Sequence, residues 1–204
     1  MKISLAELHR MCTAAASAAG ASRLVARSLA DATVDAEACG QKAVGVAHFF
    51  DYLDAFRAGR IDPIAMPVLM RIKPGIFHSD AKGGIAQLGF DRAFNRFAAA
   101  ATKHGLALFT QTNAWTCGAL GYHAERLARQ GLVALAATNA SAMIAGGGAI
   151  RPIYGTNPMA FAAPVAGGSP LLVDQSSSAT AFVNVRAARE RGSAIPDGWA
   201  IDRD

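Results

Sequence analysis

Residues able to do chemistry are few in this chain, and they are scattered. Of the five histidines, His9, His78, His104 and His123 sit at helical or strand positions with no nearby carboxylate in sequence, which suits core or surface roles. His48 differs. It follows Gly45, Val46 and Ala47 at the start of a helix, where an exposed imidazole can give and take protons near neutrality. A second candidate is the run RPIYGTNPMAFAAP, Arg151 to Pro164. There Gly155 permits an unusual backbone, Pro158 holds Asn157 extended, and Thr156 offers a hydroxyl and an amide from a loop leading into a strand. The same run also fits a plain tight turn feeding a buried strand.

Standard signatures are missing. No GxGxxG follows a strand, and there is no GxxxxGK[ST], GxSxG, HExxH or nucleophilic cysteine motif. The AGGGAI glycines, Ala145 to Ile150, follow a strand without opening a helix, leaving a flexible loop or an anion-binding loop as alternatives. Cys12, Cys39 and Cys117 are widely spaced, without metal-ligand spacing, and read as buried free thiols.

The elements that would position these groups follow from periodicity. Ser4 and Glu7 form a capping box before Leu5, Leu8, Met11, Cys12 and Ala15, with a stop at Gly20. Ser22 caps a second helix with an inward stripe of Leu24, Val25, Leu29, Ala32, Val34 and Ala36, ending near Gly40. A third helix from about His48 to Gly59 buries Phe49, Tyr52, Leu53 and Phe56. Beyond Pro63 the texture changes: strands at 68–72 and 76–78, a helix at 90–104, a strand at 106–111, a helix at 118–130, strands at 132–138, 160–163 and 171–174, and a helix at 179–191. This alternation predicts an α/β fold with a largely parallel sheet after an N-terminal helical segment of residues 1–62, with 63–204 as the α/β core. The ending IPDGWAID has nothing visible to pack against, so the chain is read as shortened or as relying on another chain.

Composition narrows the setting. Apolar residues make up 52% and charged residues 17%, which suits a closely packed soluble protein. No apolar run reaches the roughly 20 residues of a membrane span, and the opening MKISLAELHRMC lacks a signal peptide's apolar core, so the expected setting is cytoplasmic. The net charge of +5 is dispersed apart from RAARERG at 186–192, and no aromatic and basic interleaving points to nucleic acid.

Five segments in order resemble the malate/L-lactate dehydrogenase family of the non-Rossmann type, which includes ureidoglycolate, sulfolactate and Δ1-piperideine-2-carboxylate oxidoreductases. They are VGVAHFFDYLDAFRAGRID (44–62), GALGYHAERLARQGLVALAATNAS (118–141), YGTNPMAFAAP (154–164), LLVDQSSSATA (171–181) and GSAIPDGWAID (192–202). The resemblance implies a cytoplasmic homodimer with a mixed sheet and helices on both faces, moving hydride between NAD or NADP and a small 2-oxo acid or cyclic 2-imino acid. By position His48 falls on the family's acid/base histidine and Thr156 on a substrate-carboxylate contact. Thr116, Cys117, Gly118, Ala119 and Leu120, with Asp174, Gln175 and Ser176, fall on cofactor-binding segments.

Departures accompany the match. Ala47 and Tyr52 stand where the family often has Ser and Arg, Thr116 replaces a frequent second histidine, and Asn184 stands where imine reductases place an Asp; Tyr52 and Asn184 are accordingly substrate-side candidates. A lone His48 without a carboxylate to orient it favours imine reduction over 2-hydroxy acid oxidation. Family members run well over a hundred residues further, so the alternative is a shortened, catalytically silent relative.

Overall fold

The computed structural model describes residues 3–201; Asp202, the last residue of the IPDGWAID segment, lies outside them. Helix α1 (Leu5–Ala18) is capped by Ser4, whose hydroxyl accepts from the Glu7 amide at 3.1 Å. Helix α2 (Arg23–Ala38) is capped likewise by Ser22. Helix α3 (Val46–Arg57) buries the four residues expected, Phe49, Tyr52, Leu53 and Phe56. The stripes of α1 and α2 need correction, because Leu5, Met11 and Leu24 are about half exposed. Cys12 and Ala16 on α1 meet Val25, Ala26, Leu29 and Ala30 on α2 instead, the alanines letting the helix axes approach while Leu5, Met11 and Leu24 lie outside the seam.

Strands β1 (Val68–Lys73) and β2 (Ile76–Asp80) form a hairpin across Pro74 and Gly75. Helix α4 (Ala86–His104) starts four residues before the expected Phe90, and its first turn, Ala86 to Gly89, is buried. Gly89 belongs in that turn for want of room, since a Cβ there would lie 1.8 Å from Gln111 Oε1. Strand β3 (Leu108–Thr112) then runs parallel to β2, α4 having carried the chain back to the same end.

Helix α5 (Leu120–Ala128) is buried nearly all round. Strand β4 (Ala134–Ala137), the short hairpin β5 (Ile144–Ala145) and β6 (Pro152–Tyr154), strands β7 (Met159–Ala163) and β8 (Leu171–Gln175), and helix α6 (Phe182–Glu190) complete the chain. Two three-stranded sheets result, ordered β1-β2-β3 and β4-β7-β8, and β2 with β3 is the one parallel pair among the described residues. The α/β class with mixed pairing holds, but the largely parallel sheet does not. The seven residues joining β7 to β8 are too few for a crossover, which forces an antiparallel return. The helices α4 and α5 pack between the two small sheets, in one core running from Phe77 through Phe90, Phe97, Leu120 and Leu127 to Ala134, Ala160 and Ala162. Alanines on the inner face of β7 let α5 approach closely. Ile85 and Leu88 join the core of the first three helices, so packing is continuous across residue 62.

Candidate functional site

The site begins where α2 ends. The Glu37 carboxylate accepts the Val46 amide at 2.7 Å and so caps α3 from the preceding helix; a Cβ at Gly45 would lie 2.3 Å from that oxygen. In the first turn of α3, His48 is mostly enclosed, its side chain 18% exposed. Its ring lies parallel to Trp115, centroids 5.9 Å apart and planes 9° from parallel, and edge-on to Tyr52 at 5.1 Å. Nδ1 lies 2.9 Å from Asp51 Oδ2. The expectation of a lone histidine is therefore corrected: one helical turn brings residue i+3 onto the same face, and that residue is a carboxylate.

Asp51 has a second partner. Arg186 on α6 donates from Nη1 to Oδ1 at 3.0 Å and from Nη2 to Oδ2 at 3.4 Å. Burial alone would raise the Asp51 carboxyl, but hydrogen bonds from Arg186 and His48 outweigh it and hold the group below the usual carboxylate range. Asn184 is exposed on α6 and donates to Thr180 Oγ1 at 2.9 Å; it emerges about 200° round the helix from Arg186.

Tyr52 is buried, with its hydroxyl donating to the Thr116 carbonyl at 3.0 Å and accepting from Gln87 Nε2 at 2.8 Å. It thus links the base of His48 to the segment 116–120. That segment turns through Gly118 at φ +67°, where the amide approaches Thr116 Oγ1 at 3.4 Å. Burial pushes the Cys117 thiol up to about 11, so it is no ready nucleophile. Ala119 and Leu120 open α5.

Asp174 on β8 meets the same helix start, its Oδ2 accepting the Gly121 amide at 2.8 Å and lying 3.5 Å from Gln41 Nε2. A carboxylate here suits the positive end of α5. Alternation along β8 sends Gln175 to the opposite face, in register with Met159. Ser176 Oγ is 2.9 Å from Ser178 Oγ, and the Ser177 amide donates to the Thr156 carbonyl at 2.8 Å. The Thr156 loop is braced on its other side: Asn157, at φ +35° and not extended as expected, accepts the Ala140 amide at 3.0 Å, and a Cβ on Gly155 would lie 2.1 Å from the Ala140 carbonyl oxygen. His48, the 116–120 turn and Asp174 thus form one connected set, to which the Thr156 loop attaches through Ser177. Among the described residues no direct hydrogen bond joins His48 to Thr156.

The remaining groups fall elsewhere. His9 pairs with Asp31 at 2.8 Å, and His78 with Thr110 and Thr112. The Gly146–Gly148 loop is the tip of the β5-β6 hairpin and opens no helix. Cys39 is exposed rather than buried, with its sulfur and the carboxylates of Asp35 and Glu125 within 4.8 Å of one another, Glu125 being paired with Arg129. Sequence reasoning missed Asp51, Gln87, Trp115 and Arg186; for Asp51 alone a local signal, the i,i+3 spacing, was present.

The model of the malate/L-lactate dehydrogenase family matches residues 3–204. A (2R)-3-sulfolactate dehydrogenase (NADP(+)) from Chromohalobacter salexigens is 37% identical over 98% of this chain and 60% of its own length. A Δ1-pyrroline-2-carboxylate/Δ1-piperideine-2-carboxylate reductase from Pseudomonas putida is 33% identical over 100% of this chain and 60% of its own. The crystal structure of Δ1-piperideine-2-carboxylate reductase from Pseudomonas syringae pv. tomato superposes with a TM-score of 0.91 at 31% identity, covering 96% of this chain and 59% of that one. The chain thus spans about 60% of the length of these relatives. In sequence across residues 3–204 and in fold, the chain belongs to the malate/L-lactate dehydrogenase family.

Proposed function

We propose that this chain carries the site of an NAD(P)H-dependent oxidoreductase acting on a small 2-oxo acid or cyclic 2-imino acid of the Δ1-pyrroline-2-carboxylate type. The observation that carries the reading is the enclosed His48 ring, fixed by Asp51 and Trp115 and linked through Tyr52 to the start of α5. Residues 1–62 supply the acid/base group and Tyr52, and residues 63–204 supply the cofactor contacts and the other substrate contacts.

A reduced nicotinamide, when bound, supplies the hydride. His48 delivers the proton from Nε2 to the substrate oxygen or nitrogen. The backbone and hydroxyl of Thr156 hold the substrate carboxylate, with Asn184 and the Tyr52 ring bordering it. Residues 116–120 and 174–176 receive the cofactor, and Asp174, already at the α5 N-terminus, suits a ribose hydroxyl there better than a second anion. With His48 held by a carboxylate, 2-oxo acids become as suitable as imines, since the proton donor need not rely on a substrate nitrogen arriving already protonated.

The same reading has the chain working in the cytoplasm as a homodimer. No helix among the described residues is long and apolar enough to cross a membrane. The outer face of the β4-β7-β8 sheet leaves Leu135, Met159, Leu171 and Val173 exposed, as a subunit contact requires.

A titration of the purified chain with NADPH, followed by fluorescence enhancement, is expected to saturate. With Δ1-pyrroline-2-carboxylate or pyruvate as oxidant, His48→Ala lowers kcat by about 10² to 10⁴. No saturable signal would point to the silent relative, and an unchanged rate would remove His48 from the mechanism.

A further inference from the structure

We propose that Asp51 is the positioning residue of His48, holding its imidazole in the Nδ1–H tautomer, and that Arg186 from α6 locks the Asp51 carboxylate in place for that task. The proposal rests on the reading of His48 as the proton donor, but its geometry stands apart from any substrate.

Three contacts fix the ring. Trp115 covers one face, Tyr52 meets the ring edge-on, and Nδ1 is 2.9 Å from Asp51 Oδ2. Ionised Asp51 can only accept, so Nδ1 must be the donor. Nε2 is then the nitrogen that gains and loses the exchangeable proton, while Nδ1–H stays on Asp51 in both charge states.

An aspartate in the first turns of a helix is free to swing about its two side-chain torsions, so a single contact to His48 would not fix it. Arg186 removes that freedom by binding both oxygens with its planar fork, Nη1 to Oδ1 and Nη2 to Oδ2. Among the described residues these are the side-chain hydrogen bonds that tie α6 to α3. A residue 135 positions further along the chain thereby enters the geometry of the imidazole, and the seating of α6 and the orientation of His48 become one event.

The test is the tautomer itself, read by two-bond ¹H–¹⁵N correlation on protein labelled with ¹⁵N-histidine, well above the ordinary imidazole range. Five histidines keep the spectrum simple, and His48→Gln assigns the resonance. In the wild-type chain His48 shows the Nδ1–H pattern, and Asp51→Ala converts it to Nε2–H. Asp51→Asn does the same, because Arg186 holds its single oxygen and turns the amide NH2 toward the ring, guarding against misfolding of the alanine variant. Turnover in Asp51→Ala falls about 10- to 100-fold with NADPH affinity near wild type, and Asp51→Glu recovers part of it. Arg186→Gln keeps the Nδ1–H pattern but lowers kcat, and an unchanged kcat would remove Arg186 from the proposal. An Nε2–H ring in the wild-type chain, or an Nδ1–H ring that survives Asp51→Ala, overturns the role of Asp51. A wild-type chain with no turnover whose Nδ1–H pattern is lost in Asp51→Ala upholds that role and overturns only the activity.

Discussion

Replacing His123 by Phe should flatten the acid side of the stability curve. His123 lies within α5, 8% exposed, edge-on to Phe90 at 4.8 Å. Its Nε2 makes a long 3.4 Å contact with the Cys117 carbonyl, and its Nδ1 has no partner. Burial disfavours the charged ring and lowers its pKa from 6.5 to about 4. Above 6.5 the imidazole is neutral in both folded and unfolded chains, so it adds no pH dependence. Between 6.5 and about 4 the unfolded chain takes up a proton that the folded one refuses, so stability falls with pH. Below about 4 both states are protonated and the effect has run its course. The gap from 6.5 to about 4 corresponds to about 3 kcal/mol at 1.36 kcal/mol per pH unit.

Phenylalanine keeps the edge contact with Phe90 and cannot protonate. Urea unfolding followed from pH 7.5 to 4.5 should therefore give the wild-type chain a steeper loss than the variant, by up to about 1.4 kcal/mol per pH unit near pH 5. Because the comparison is one of slopes, any fixed cost of the substitution drops out. Parallel curves would show that the folded protein accepts the proton readily and would refute the buried, neutral assignment. The result bears on the site, since Nε2 touches the backbone of the 116–120 turn and protonation there would disturb it.

Two further outcomes follow from the loops. Gly155→Ala would place a Cβ against the Ala140 carbonyl, so it should lower thermal stability and raise KM for the acid substrate while leaving NADPH titration nearly unchanged; the cost expected of such overpacking is about 1–3 kcal/mol, and a wild-type melting curve would show that the loop yields. Asp174→Asn removes the charge from the α5 N-terminus and should destabilise by about 0.5–2 kcal/mol. That loss should shrink as salt is added, and a salt-independent loss would argue for a purely steric origin.

Local signals made much of the molecule legible. Ser4 and Ser22 marked two helix starts, and Phe49, Tyr52, Leu53 and Phe56 marked the buried face of α3, because caps and 3.6-residue periodicity act within a single element. The sheets were harder. Strand direction depends on what lies between strands, and the seven residues from β7 to β8 decide it more firmly than the alternation of helix and strand. Leu5, Met11 and Leu24 looked like core residues by size, yet the α1-α2 seam is filled by Cys12, Ala16, Val25, Ala26, Leu29 and Ala30. At the site, His48, Thr156 and Asp174 lie in short motifs that can be read in isolation. Gln87 and Arg186 reach Tyr52 and Asp51 from 35 and 135 residues away, Trp115 meets His48 and Tyr52 from a distant segment, and no local pattern announces such meetings. Asp51 was within reach, since a carboxylate three places after a histidine on a helix shares its face.

The cap that Glu37 lends to α3 has a consequence for how the imidazole is aimed. Val46 is only two residues ahead of His48, so whichever amide that carboxylate grips decides where the spiral of α3 begins. Starting one residue later would swing the ring by about 100°, away from the indole and toward a different wall. The proton-carrying group is thus steered from the far end of a neighbouring helix, and a change at Glu37 should be felt as misdirection of the ring before it is felt as loss of fold.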